Sequence, residues 1–406
     1  MEPISYITAS IGTISNTFIR KEIIYLRKLG MEILLFGIRK SGEMGVDDSG
    51  LADETIYLYP LNILAIITAN IQFCLSRPSA YFKTLIRALF NEETNILNHI
   101  KVIYHFFTSS YFAAIIKNKK IAHIHAHFPN SAATVAMYAA SLSGITYSVT
   151  LHSAGTHKVR SMAALRQKVS YAKFLICISE YTMNYYDNLF NCKSKTFIVH
   201  CGIDLDIYEK NRKQSVFRSG QKLQLICIGR FEEKKGFGYA IEACRQLAEE
   251  AVDFELVMIG SGSLSEPLKK MADLYGLGQK IKFMGSCSGN VVAHQLANSD
   301  ICLVPSVKAD SGEEEGIPVV IMEAMAVGVF VIATRHSGIP EIVRDNDTGL
   351  LVPERDPNAI VKAIKLFNED DTLRNRCIEN GRLLVREEFD IKKNAMAKKK
   401  IFERHI

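Results

Sequence analysis

The sequence contains no Cys-x-x-Cys pair, no tandem repeat, no low-complexity tract and no run of heptads. Its nine cysteines, odd in number and widely spaced, exclude a disulfide framework and a cysteine-built zinc site, and suit a reducing cytosol. Net charge is also scarce. With 49 Lys and Arg against 43 Asp and Glu the balance is +6, which excludes a general nucleic-acid-binding surface. Met1 to Gly12 has neither the basic start nor the apolar core of a secretory signal, so no export is expected. What the chain does have is length and apolar content: 406 residues, 48% of them apolar, suffice for two or three compact domains.

The basic excess is uneven. Residues 1 to 200 hold 20 Lys and Arg and 12 Asp and Glu, a balance of +8, and the remainder holds 29 and 31, a balance of −2. Such a surface suits anionic lipid or an acidic substrate. Between Ile56 and Ser76 no residue is charged, over a length that would span a bilayer. Pro60, Asn62, Asn70 and Gln72 interrupt it, and amide side chains are costly in hydrocarbon, so a buried or interfacial helix is expected instead. After it, Arg77, Lys83, Arg87 and Lys101 interleave with Tyr81, Phe82, Leu85, Ile86, Leu89 and Phe90. This fits a helix lying on an anionic membrane, and it also fits an amphipathic helix packed on its own domain.

From Lys222 onward short β-branched runs alternate with segments of helical period, the signature of parallel βαβ units. Strands are expected at Leu223 to Gly229, Phe254 to Gly260, Ile281 to Gly285, Ile301 to Pro305, Val329 to Thr334 and Gly349 to Val352. The first half repeats the theme at Ile4 to Ala9, Glu32 to Gly37, His123 to His127, Tyr147 to Leu151 and Phe174 to Ile178, with a helical insertion at about 56–120. Tyr208 to Gln221, polar and basic, reads as the linker. The fold class is therefore α/β: two Rossmann-like doubly wound domains, expected to face each other across a cleft.

Ligands in open parallel sheets bind beyond the carboxyl ends of the strands, so the loops there matter most. The first in the second half is Gly229-Arg230-Phe231-Glu232-Glu233-Lys234-Lys235-Gly236, an outline of a diphosphate site: a forked arginine donor, a lysine point charge and a helix start among glycines. A solvated charged turn has the same composition. The second, Ser261-Gly262-Ser263-Leu264, is a tight turn that would admit a ligand. The third runs Glu313-Glu314-Glu315-Gly316-Ile317-Pro318-Val319, then on through Glu323 to Ala326. Pro318 suits a helix start, expected near Ile317. Glu315 then lies in the loop and Glu323 inside an apolar helix, where a carboxylate needs a partner. The hydroxyl pair of a ribose would serve, and so would neighbouring backbone.

With these motifs the chain resembles the retaining glycosyltransferases of family 4, which have the GT-B fold. The resemblance rests on Glu315 and Glu323 with seven residues between them, on Gly229-Arg230 through Lys235-Gly236, and on Glu-Ala-Met-Ala from Glu323. It extends through Ser337-Gly338-Ile339-Pro340-Glu341 and Thr348-Gly349-Leu350-Leu351-Val352-Pro353. In the first half Ser15 to Glu22, His125-Ala126-His127-Phe128 and Thr150-Leu151-His152 match more loosely. The wording around Glu-Glu-Gly-Ile-Pro and His336 to Glu341 is similar to enzymes of bacterial exopolysaccharide and colanic-acid assembly. One departure is that Ser153-Ala154-Gly155-Thr156-His157 follows the histidine, where many relatives have Gly and Asp.

The resemblance implies a domain 1–205 for the acceptor, a domain 206–385 for a nucleotide-sugar donor, and a helix 386–406 returning to the first domain. It assigns Arg230 and Lys235 to the donor diphosphate, Glu323 to the ribose and Glu315 to the transferred sugar. Gly316, Ile317, Pro318 and Val319 would set the helix start against that sugar. His152 would lie near the same sugar, Phe283 and Gly285 near the nucleobase, and Gly12 near the phosphates. It further implies retention of anomeric configuration, no divalent metal and no cofactor beyond a UDP- or GDP-type donor. The acceptor would be a saccharide or lipid-linked saccharide used in surface-polysaccharide synthesis. The protein would be cytoplasmic, and its basic first half would suit peripheral contact with the inner face of the membrane.

Three features of the sequence fit other chemistry. His123, His125 and His127 share one strand face and could hold zinc. The basic run Lys392, Lys393, Lys398, Lys399 and Lys400 reads as a solvated helix face sooner than a lipid contact. Gly260-Ser261-Gly262 echoes a dinucleotide fingerprint, but no acidic residue ends a following strand. An NAD-dependent dehydrogenase and a non-catalytic nucleotide-sugar or membrane-binding scaffold are the rival functions.

Overall fold

The computed structural model describes residues 2–10, 17–40, 49–91, 95–154, 164–211, 217 and 219–406. The chain divides into two units, Met1–His200 with Asn394–Ile406, and Cys201–Lys393.

The first unit is built on seven parallel strands, β1 (Ile4–Thr8), β2 (Ile33–Gly37), β3 (Ile56–Tyr57), β4 (His123–His127), β5 (Thr146–Leu151), β6 (Phe174–Cys177) and β7 (Thr196–Ile198). Their order is β3-β2-β1-β4-β5-β6-β7. The direction of winding therefore reverses between β1 and β4, where doubly wound sheets open a crevice. Both faces of the sheet are covered, which is why its strands are buried almost throughout. Ile7, Phe36, Ile124, Ala126 and Val149 pack with the helices Ser131–Ser143 and Ile96–Asn118. On the opposite face Ile4, Tyr6, Ile33 and Leu35 pack with Ile19 and Ile23 of Thr17–Lys28 and with Ala395 and Phe402 of the helix Ile391–His405.

The helical insertion comprises Ile63–Ser76, Pro78–Leu89 and Ile96–Asn118. It begins later than the apolar composition implied, because Ile56 and Tyr57 pair with Phe36 and Gly37 as the edge strand β3. Asn62 caps the first helix, its side chain accepting from the Ala65 amide at 3.0 Å. Asn70 is stabilised among apolar neighbours by four partners: it donates to the Ile66 and Phe107 carbonyls and accepts from Tyr81 and Ser110. Among the described residues no helix is long and apolar enough to cross a membrane.

The second unit has six parallel strands, β8 (Leu223–Ile228), β9 (Phe254–Ile259), β10 (Ile281–Gly285), β11 (Ile301–Val304), β12 (Phe330–Thr334) and β13 (Leu350–Val352), in the order β10-β9-β8-β11-β12-β13. Its reversal falls between β8 and β11. Within the expected linker, Tyr208 is buried in the helix Leu205–Lys210 and Phe217 is buried in the core, while 212–216 and 218 lie outside the described residues.

The C-terminal helix presents the expected solvated face at Lys392, Lys393 and Lys400, which are exposed, and departs from it at Lys398. Lys398 is only 4% exposed and its ammonium meets Glu22 at 2.6 Å. Lys399 donates to the Leu29 carbonyl, Lys393 to the Arg386 carbonyl, and Lys392 pairs with Asp206.

Candidate functional site

In the second unit the loops after β8 and β11 lock together at the point of reversal. Gly229 and Gly236 have φ of +151° and +64°, and a Cβ on Gly236 would lie 1.9 Å from the Pro305 carbonyl oxygen, so only glycine allows this approach. The Val307 amide donates to the Lys234 carbonyl at 2.9 Å, and the Asp310 amide to the Glu233 carboxylate at 2.7 Å. Lys235, held by the short turn Glu233–Lys235, thereby reaches Glu315: Nζ to Oε2 is 2.9 Å. Lys234 Nζ lies 3.5 Å from the other oxygen.

Burial would raise the Glu315 carboxyl, but the Lys235 and Lys234 ammoniums outweigh it and hold it at about 2. Glu313 shares Lys234 with Glu315, at 3.7 Å, and Glu314 pairs with Lys308 at 2.9 Å. The backbone of Glu315 is fixed from β12. Its amide donates to His336 Nε2 at 3.2 Å, and His336 Nδ1 lies 2.7 Å from Glu354 Oε1. Because Nε2 accepts, the His336 proton sits on Nδ1 and donates to Glu354. Arg230 is half-exposed and pairs with Glu232 at 2.8 Å.

The helix Val319–Val327 starts two residues later than expected, with Pro318 as its cap residue. Ile317 and Pro318 are buried, Gly316 and Val319 partly so. Glu323 lies one turn inside and accepts a hydrogen bond from the Tyr208 hydroxyl. Burial, then the Glu323 charge, pushes the Tyr208 phenol far up, so it remains a donor. Phe283 and Gly285 end β10 beside this region: Phe283 stands edge-on to Phe231 at 6.2 Å, and the Gly285 carbonyl accepts from the Gly260 amide at 2.8 Å.

In the first unit His152 follows β5 and is buried. Phe128 and Phe18 flank its ring at 4.4 and 4.8 Å between centroids. Gly12, like Gly155, Thr156 and His157, lies outside the described residues. The imidazoles proposed for zinc have other partners. His123 lies 2.7 Å from both Thr146 and Ser148 hydroxyls, and His125 lies 2.7 and 2.8 Å from those of Ser148 and Thr150. Glu22, His125 and His127 do converge as a possible metal-binding group. Both His125 nitrogens are nevertheless engaged, and the Lys398 ammonium already pairs with Glu22, so these residues do not fit a cation.

Two Asp-x-Asp triplets, a pattern that can hold a divalent metal, are likewise engaged. Asp204 accepts from the Asp206 amide while Asp206 pairs with Lys392. Asp345 pairs with Arg335 and accepts from the Leu351 amide, and Asp347 accepts from Asn380.

The structure therefore joins Lys235 with Glu315 and leaves Glu323 with a partner that sequence reasoning missed. Tyr208 was hidden in the supposed linker. Lys234 and Glu354 were also missed, although His336 stood in the quoted Ser-Gly-Ile-Pro-Glu neighbourhood.

These features have counterparts in known proteins. The family described as "Glycosyl transferases group 1" matches residues 208–384, and "Glycosyltransferase Family 4" matches residues 76–207. The two matches adjoin, and the chain belongs to these glycosyltransferases. It is 37% identical over 180 residues to WcaL of Escherichia coli (strain K12), described as a colanic acid biosynthesis glycosyltransferase, covering 44% of each chain. It is 40% identical over 151 residues to the amylovoran biosynthesis glycosyltransferase AmsK of Erwinia amylovora, covering 37% of each. The chain thus matches less than half the length of these relatives. Its fold is that of Anabaena Alr3699/HepE, solved in complex with UDP, with a TM-score of 0.73 over all of both chains at 14% identity. Two parallel-sheet Rossmann-like domains of this kind define the GT-B glycosyltransferase fold.

Proposed function

We propose that the protein is a retaining, metal-independent glycosyltransferase that moves a sugar from a UDP- or GDP-type donor to a saccharide or lipid-linked saccharide in surface-polysaccharide synthesis. The observation that carries this reading is the Lys235–Glu315 contact at the β8/β11 reversal, with the helix bearing Glu323 starting beside it. Transfer breaks the bond between the anomeric carbon and a diphosphate oxygen. Negative charge grows on that oxygen and positive charge on the carbon. Arg230, Lys235 and the start of the helix Val319–Val327 are suited to the first, and the Glu315 carboxylate to the second. The acceptor oxygen then bonds to the same face of the anomeric carbon while its proton passes to the leaving phosphate. Glu323 is assigned to the ribose hydroxyls, Phe283 and Gly285 to the nucleobase, and His152 to a hydroxyl of the transferred sugar.

The test is a thermal-shift screen of UDP, GDP and ADP sugars with NAD as the contrast, followed by NMR of the transfer product. Stabilisation by one nucleotide sugar and a product of retained configuration, unaffected by chelator, is expected. Stabilisation by NAD alone, or an inverted product, would overturn it.

A lipid surface is the proposed setting of the acceptor, on the cytoplasmic face. The helix Ile63–Ser76 is uncharged and mostly apolar yet buries only Ala69 and Phe73, leaving Ile63, Leu64 and Leu75 68%, 71% and 77% exposed. Phe82, Ile86, Phe90, Ile96 and Leu97 of the same insertion are exposed as well. Every charged residue within the three insertion helices is basic. This combination suits anionic lipid. Sedimentation with phosphatidylglycerol vesicles is expected for the wild type and not for Leu64→Glu/Leu75→Glu; equal pelleting of the two would remove the proposal.

A further inference from the structure

His152 is connected to the C-terminal helix by a chain of buried polar groups. Its Nε2 lies 3.0 Å from His127 Nδ1, within hydrogen-bond distance, with the ring centroids 5.3 Å apart. On its other side His127 Nε2 makes no hydrogen bond, and Glu22 Oε1 faces it at 3.6 Å. The same Glu22 oxygen accepts the Tyr6 hydroxyl at 2.9 Å, and the second oxygen accepts Lys398 Nζ at 2.6 Å. Glu22, His127, Lys398 and Tyr6 are all buried.

Protons can be placed along this chain. Burial first, then the Lys398 charge, pulls His127 well below the usual imidazole range; burial, then His127 and Lys398, does the same for His152. Both rings are neutral, so one must donate to the other. A bare His127 Nε2 would point a lone pair at a carboxylate oxygen, whereas an Nε2–H points its dipole at the anion. The proton of His127 therefore belongs on Nε2, and its Nδ1 accepts. His152 must then carry its proton on Nε2, which makes its Nδ1 a hydrogen-bond acceptor.

We propose that Glu22, paired with Lys398 and acting through His127, is a positioning residue that sets the tautomer of His152 so that Nδ1 accepts from a sugar hydroxyl. The last clause rests on the function proposed above; the tautomer does not. Lys398 contributes twice, by pairing Glu22 and by keeping a cationic imidazole out of the site. Phe18 and Phe128 pack against the His152 ring, at 4.8 and 4.4 Å between centroids, beside this hydrogen bond.

Protein labelled with 15N at histidine reports the tautomers directly by long-range 1H–15N correlation, with His127 and His152 assigned from single substitutions. The wild type should give His152 a protonated Nε2 and a bare Nδ1. Glu22→Gln should shift His152 away from that single form, because a carboxamide can donate to His127 as readily as accept from it. Since Glu22→Gln alone leaves an unpaired buried ammonium, the double variant Glu22→Gln/Lys398→Met serves as the folding-safe version. In it kcat should fall on the order of tenfold, about 1.4 kcal/mol, with the donor KM unchanged. A wild-type His152 protonated on Nδ1, or an unaltered His152 spectrum in the double variant, would overturn the inference. A correct tautomer in a protein that transfers no sugar would instead defeat the proposed function.

Discussion

Tyr208 donates its hydroxyl to Glu323 Oε1 from 115 residues away, joining the short helix Leu205–Lys210 to the helix Val319–Val327. A carboxylate set among Met322, Ala324 and Met325 is thereby given a neutral donor without a countercharge, so it stays an acceptor for further hydroxyls. Tyr208→Phe should weaken nucleotide-sugar binding measured by calorimetry by about 1–2 kcal/mol, and Glu323→Ala should weaken it more. Equal donor affinity in the wild type and Glu323→Ala would detach this residue from the ribose.

Lys235→Ala and Glu315→Gln should each retain the fold, seen as unchanged far-UV circular dichroism, and lose turnover by on the order of 100-fold or more. Lys234 still faces Glu315 in the first variant, so its carboxylate remains paired. Full transfer activity in purified Lys235→Ala would exclude the diphosphate assignment.

His336→Ala removes the acceptor of the Glu315 amide and the donor to Glu354 together. The expected result is a lower kcat with modest destabilisation, about 1–3 kcal/mol in urea unfolding, since a buried amide loses its partner. His336→Asn restores only part of the geometry and should recover only part of the rate.

Gly236→Ala places a methyl group against the Pro305 carbonyl at a φ of +64°. Strain alone costs about 1–2 kcal/mol and the collision adds to it. Lower melting temperature together with lost donor binding is expected, because the same loop carries Lys235; an unchanged melting temperature would contradict the packing.

Stability should fall with acid from the first unit as well as the second. Burial, then the Lys168, Lys101 and Arg39 charges, lowers His105 to about 4, and burial, then Lys173, lowers His123 to about 3. Unfolded histidines bind protons below about 6.5, so the unfolded state gains protons first as pH falls. The stabilising contribution of these groups is complete above about 6.5 and diminishes toward about 4 for His105 and about 3 for His123. Glu315, held at about 2, adds a loss between the ordinary carboxyl range and that value. Urea midpoints at pH 8, 6, 5 and 4 measure this; equal midpoints at pH 8 and 5 would contradict it.

The strands and the loops after them were legible because β-branched runs ending in glycine or proline stand out at any position, as at Phe254–Ile259 and Ile301–Val304. β3 and β7 were not, since Ile56–Tyr57 and Thr196–Ile198 are too short for any periodicity to register. Glu315 and Lys235 were each visible as candidates, but not as partners, because nothing in two loops 80 residues apart announces a 2.9 Å contact. Lys398 was misread for the same reason. A run of lysines looks like a solvated face until the buried glutamate that meets one of them, 376 residues earlier, is located.

The helix Ile391–His405 also sets a timetable. Phe402 has no exposed surface and stacks edge-on with His125, and Asn394–Ile406 belong to the unit that begins the chain. A ribosome makes that unit's sheet first and its covering helix last, with all of Cys201–Lys393 emerging in between. At about 5–20 residues per second the interval is on the order of 10–40 s, during which Glu22 lacks its ammonium and the imidazole face lacks its aromatic lid. The first unit is begun first and completed last, so a chain cut short anywhere in the second unit leaves the first one open.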